Sequence, residues 1–137
     1  MEYKTITLIQ PWAQFIMLGW KSIETRTHNK FQKLVGQTIL IHAGKSWDHN
    51  WGFSEEFLTE AQIEKIMLMP ILKPQILCSV HVDSFRPLTK EDSFKAIIDC
   101  HNYQRFGLFL SNLKLIKPIQ INGQLGAWTY NGKVEYL

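Results

Sequence analysis

The chain has 137 residues, enough for one domain with a core of ordinary size and too few for two. Apolar residues make up 45% of it, with five Trp, eight Phe, eight Gly and five Pro, which excludes disordered, collagen-like and low-complexity classes. Fifteen basic residues, nearly all Lys, against twelve acidic ones leave a formal charge of +3, so a polyanionic partner is permitted without being required.

In chain order, Thr5 to Ile9 alternates as a short strand that Pro11 ends, since proline has no N–H for a ladder. Pro11 suits a first helical position, and Trp12 to Leu18 reads as a short buried helix closed by Gly19 in the left-handed conformation. Lys21 to Thr27 has period two, with Ser22, Glu24 and Arg26 on one face and Ile23, Thr25 and Thr27 on the other. Gly36 to Ala43 (GQTILIHA) is the strongest strand signal. A loop, Gly44 to Phe53, carries Trp47 and Trp51, which either staple it from inside or offer a stacking platform outside. Ser54 before Glu55 and Glu56 predicts a capped helix running to about Met67, stopped by Pro70 and Pro74. Gln75 to Phe85 predicts a half-exposed strand, and Thr89 with Asp92 a capped helix to Asp99. Strands at Phe106 to Ile116 and Leu125 to Tyr130 follow, with Lys133 to Leu137 folding back through the turn dipeptide Asn131-Gly132. Strands outnumber helices without alternating with them, which predicts an α+β domain spanning 1–137 with a curved, mainly antiparallel sheet or small barrel.

The longest apolar runs fall far below the ~20 residues of a membrane span, and residues 1–10 lack a signal-peptide core, so a cytoplasmic protein with no membrane contact is expected, monomeric by default. Cys78 and Cys100 are expected to be reduced thiols. His28, His42, His49, His81 and His101 are scattered, with no metal-ligand spacing, and no phosphate-loop or dinucleotide fingerprint occurs, so no metal and no cofactor are expected.

Two places set polar groups where chemistry needs them. Glu24 and Arg26 share a strand face, and Lys21 stands at its mouth. A surface ion pair is the alternative reading, one that contributes only about 0–1 kcal/mol. Farther on, His42 shares a face with Leu40, and Lys45 follows through Gly44; both could donate to an anion, or His42 could be a hydrogen-bonded core residue.

Taken in order, Gln10-Pro11-Trp12-Ala13, Gly19-x-Lys21-x-x-Glu24-x-Arg26, Ile39-Leu40-Ile41-His42-Ala43 and Gly123-Gln124-x-Gly126-x-Trp128 resemble the ASCH domain family of the PUA-like superfold, over about Thr5 to Trp128. The resemblance implies a PUA-like small β-barrel with short flanking helices, a cleft beside the helix that begins at Pro11, and Lys21, Glu24 and Arg26 lining it. It also implies RNA or nucleotide binding. One branch of the superfamily removes the acyl group of N4-acetylcytidine with a Lys-x-x-Thr motif, a Thr nucleophile and a separate Glu; here Glu24 stands at the nucleophile's position, and Thr25 and Thr27 fall on the opposite strand face. In the binding reading, Lys21, Arg26 and Lys45 take phosphate, Glu24 and Gln10 read a base, and Trp12 and Trp128 stack on it. In the hydrolytic alternative, on a modified nucleoside or on RNA, Lys21 is the base and Glu24 its partner or general acid. A protein-interaction domain whose pocket holds a peptide is the third class.

Overall fold

In the computed structural model, which describes residues 1–100 and 105–137, the elements follow as β1 (Glu2–Gln10), α1 (Trp12–Met17), β2 (Ile23–Arg26), β3 (Thr38–Trp47), α2 (Glu60–Leu68), β4 (Gln75–Pro87), α3 (Ser93–Ala96), β5 (Phe106–Gln120) and β6 (Ala127–Asn131). Short 3-10 turns cover Lys30–Leu34, Trp51–Phe57 and Lys90–Asp92. His101 lies outside the described residues. The strands form one curled six-stranded sheet, a half-barrel in the order β2-β5-β4-β3-β1-β6. Its pairs are antiparallel except β1 with β3, which run parallel with Ile6 opposite Ile41 and Thr7 opposite His42.

Period-two patterning decides what each face holds. Ile6, Leu8, Ile39, Ile41 and Ala43 turn to the main core, where Ala13 and Ile16 of α1 and Phe31 and Leu34 of the first 3-10 turn cover them. Leu40 on the other face joins Ile76, Ile116 and Trp128 in a smaller core. A third, aromatic cluster joins Trp12 and Phe15 of α1 to Trp51, Ile66 and Ile97. With both faces covered, residues 75–80 are buried throughout, so β4 shows the half-exposed alternation that its sequence predicts only from His81 on. Among the described residues no helix is long and apolar enough to cross a membrane.

Other departures have local causes. Strand β2 starts only at Ile23, because the amides of Trp20 and Lys21 both donate to the carbonyl of Phe15 and hold that stretch against the helix end. Ser54 caps nothing in an α-helix: it sits inside a 3-10 turn, and α2 begins at Glu60 after Thr59, which forms a reciprocal capping box with Gln62. The Thr89–Asp92 capping box does form, but the helix after it stops at Ala96, where Ile97 takes φ 54°. Residues 133–137 do not fold back on β6; Glu135 and Leu137 bond to Lys117 and Leu115, so the tail lies along β5.

Candidate functional site

The site begins at the end of α1. Gly19, at φ +80°, takes the left-handed conformation that ends the helix, and the two amides held by Phe15 then turn Lys21 inward, where it is 3% exposed. Its ammonium donates to the carbonyl of Ala96, lies 3.8 Å from Glu24 Oε1 and sits 5.2 Å from the centroid of the Trp12 ring. Glu24, itself buried, places its second oxygen 3.2 Å from Arg26 Nη2. The Arg26 guanidinium lies 4.7 Å over the Phe31 ring, and its buried Nε has no hydrogen-bond partner among the described residues. Ile97, a β-branched residue held at positive φ, is costly backbone; it makes the turn that presents Ala96 to Lys21.

Burial lowers the Lys21 pKa to about 8, against the opposing pull of the Glu24 carboxylate. A lysine at that value holds a proton at neutral pH and exchanges it slightly above.

Lys21, Glu24 and Arg26 open on one cavity of about 310 Å³, bordered also by Thr7, Trp12, Thr25, Asp48, Ile98 and Arg105. Thr25, expected to face away, is part of this border. Asp48 and Arg105 have no counterpart among the residues that sequence patterning singled out. Asp48 arrives because β3 runs on past Gly44 to pair Trp47 with Gln10, after which Trp12 Nε1 donates to Asp48 Oδ2 at 2.9 Å. Arg105 arrives because it precedes Phe106, which pairs with Arg26. The one signal in the sequence is the rarity of arginine: two of the three, Arg26 and Arg105, border this cavity.

Several expected site residues lie elsewhere. Gln10 is fully buried, and its amide is used within the fold, donating to Gln14 Oε1 at 2.8 Å and to the carbonyl of Leu72 at 2.7 Å while accepting from the Gln14 amide. It has no donor left to read a base. Trp128 is packed in the smaller core and donates to Thr7 Oγ1 at 2.9 Å, so it offers no face for stacking. Trp51 packs edge-on to Phe15 and Trp47, which makes the pair a staple of the loop. His42 and Lys45 border a second cavity, of about 380 Å³, together with Gly44, Pro74 and the 122–125 loop. His42 is kept neutral by burial and pairs through Nε2 with the carbonyl of Ile121 at 2.7 Å, while its buried Nδ1 has no partner among the described residues. Both thiols are free and buried, and desolvation holds Cys78 at about 12.

No protein-family model matches the chain, and no curated protein matches it in sequence. Among solved structures it is similar to the ASCH protein from Zymomonas mobilis, with TM-score 0.56 and 13% identity over 86% of this chain and 73% of that one. A Ser-to-Ala variant of that protein gives TM-score 0.53 at 13% identity over 85% and 72%, and a Tyr-to-Phe variant 0.52 at 12% over 86% and 75%. At such identity the likeness shows the fold alone: an α+β half-barrel like that of the ASCH protein, in keeping with the fold that the four motifs implied.

Proposed function

We propose, from the fold shared with ASCH proteins, that this chain binds a nucleotide, free or within RNA, in the cavity bordered by Lys21, Glu24 and Arg26. One observation carries the reading: a cation, an anion and a second cation, two of them almost wholly buried, open together on a cavity within the lower range of ligand sites. Buried ion pairs are a weak source of stability, because desolvation offsets their attraction. A guanidinium with an unpartnered buried Nε is weaker still as a structural device, which supports a role toward a ligand. In this reading Arg26, the more exposed cation, takes phosphate through its planar fork, and Lys21 adds charge from below. Glu24 accepts from the exocyclic amine of a base such as cytosine, since a carboxylate has more acceptor sites than its two cations fill.

The test is calorimetric binding of cytidine 5′-monophosphate at pH 7 and pH 9. Its phosphate stays doubly ionised over that range, so the titrating group is Lys21, which loses its charge as pH rises through about 8. Affinity is expected to be highest below pH 8, to fall above it, and to lose that fall in Lys21→Met. Absence of binding by both this nucleotide and a pentacytidylate RNA overturns the proposal.

The lowered Lys21 pKa also favours a second reading, hydrolysis of a modified nucleoside, because a base must be partly neutral near working pH. The hydroxyl-bearing residues Thr7 and Thr25 border the same cavity. Release of acetate from N4-acetylcytidine, abolished by Lys21→Ala, is the result that supports this reading; no release in the wild type rejects that reaction.

A further inference from the structure

A third cavity, of about 690 Å³, is bordered by none of Lys21, Glu24 and Arg26, and the charge on its border is opposite in sign to theirs. Asp48, Glu56 and Asp99 border it against a single cation among the described residues, Arg105, so three carboxylates stand to one guanidinium. Neither Asp48 nor Glu56 forms an ion pair among the described residues. Asp48 accepts one hydrogen bond at each oxygen, from Trp12 Nε1 and from the Asn50 amide, which leaves acceptor capacity on both.

Grouped carboxylates repel one another and are by themselves no sign of a ligand. The serine among them is. Ser54, held inside the 3-10 turn Trp51–Phe57, is 3% exposed and borders the same cavity, and its hydroxyl has no hydrogen-bond partner among the described residues. A buried hydroxyl ordinarily pairs within the fold, because water no longer satisfies it. This one is left to the cavity.

The arrangement also selects the kind of cation. Among the described residues no three carboxylate, thiol or imidazole groups come together closely enough to hold a metal ion. The three carboxylates come from separate elements: Asp48 from just past β3, Glu56 from the 3-10 turn and Asp99 from beyond α3. The border also includes the apolar side chains of Trp12 and Ile98. Separated negative charges on a partly apolar wall match a cation whose charges are spaced by methylenes, not a point charge. An ammonium has three donors and no acceptor, which suits both a carboxylate and an unpartnered hydroxyl oxygen.

We propose that this cavity binds an aliphatic diamine, its ammonium groups received by Asp48, Glu56 and the Ser54 hydroxyl and its methylenes lying against Trp12 and Ile98. The inference is independent of the nucleotide reading, since it uses none of Lys21, Glu24 and Arg26.

Calorimetric titration of the full chain with 1,4-diaminobutane at pH 7 tests it, with butylamine and magnesium chloride as comparisons. The diamine is expected to bind at least tenfold more tightly than butylamine, because the second ammonium adds a charge-assisted hydrogen bond, and to weaken as salt is raised. Glu56 is exposed, and Glu56→Gln is expected to weaken binding about tenfold. Ser54→Ala is expected to weaken it about fivefold while leaving the urea midpoint of unfolding unchanged or higher, because the hydroxyl removed bonds to nothing in the described fold. A serine with a purely structural role gives the opposite pattern, a lower midpoint with unchanged affinity, and that result overturns the proposal. No binding of the diamine, full affinity in both variants, or equal or tighter binding of butylamine or magnesium also overturns it. None of these results bears on cytidine 5′-monophosphate in the cleft, so the two proposals fail separately.

Discussion

Replacing Glu24 by Leu is expected to lower the unfolding free energy at pH 7 by about 1–2 kcal/mol, below the roughly 3–5 kcal/mol found when the partner left behind must stay charged, because Lys21, with its pKa of about 8, can give up its proton instead. Lys21 is the partner left behind. Its side chain is 2% exposed and pairs with no other carboxylate among the described residues. Arg26 is less affected, because its side chain is 23% exposed and can turn to water. The decisive comparison is therefore the double variant Lys21→Met/Glu24→Leu, which removes the stranded charge and is expected to recover at least half of the loss. Urea unfolding of the two variants reads this directly. If the double variant is as unstable as Glu24→Leu, Lys21 and Glu24 are not the coupled buried pair described above. A pH signature accompanies it. The Lys21 pKa is about 8 in the folded state and 10.5 at its ordinary value, so between those values the unfolded chain holds the extra proton. Stability relative to Lys21→Met is thus expected to rise with pH from about 8 to about 10.5.

The second large effect falls on binding. Arg26→Ala is expected to weaken cytidine 5′-monophosphate binding about 10- to 100-fold, the value of a charge-assisted hydrogen bond to phosphate at a partly desolvated site. Stability is expected to change by only about 1–2 kcal/mol, since Glu24 keeps Lys21 as a counter-charge. Arg26→Lys restores the charge without the planar fork and is expected to recover only part of the affinity. Wild-type affinity in Arg26→Ala removes Arg26 from the site. Equal loss in affinity and in fold, with a large fall in unfolding free energy, assigns the residue to structure instead.

How much of this was legible along the chain varies with the distance over which each feature is determined. Glu24 and Arg26 stand two residues apart on a strand, and period two alone puts them on one face. The Thr89–Asp92 box and the turn at Gly19 are equally local, and both form. Ser54 misled because acidic residues after a serine look like a helix start, whereas the reciprocal pair Thr59 and Gln62, five residues on, satisfies the first-turn amides better. Thr25 shows the limit of facing arguments: on a four-residue strand at the edge of the sheet, a residue on the nominally opposite face still borders the cavity.

From its sequence alone, then, the protein's strands, its short buried helix and the cation–anion–cation order at Lys21, Glu24 and Arg26 were determined, because each depends on spacing inside one short window. Only the tertiary structure decided which remaining polar residues accompany them. The ladder register brought Asp48 to Trp12 across 36 positions, Ala96 to Lys21 across 75 and Ile121 to His42 across 79, while it sealed Gln10 and Trp128 into the interior. Register is settled by the summed packing of both sheet faces and not by any one segment, so a local pattern can propose a charged strand face but not which distant groups will meet it.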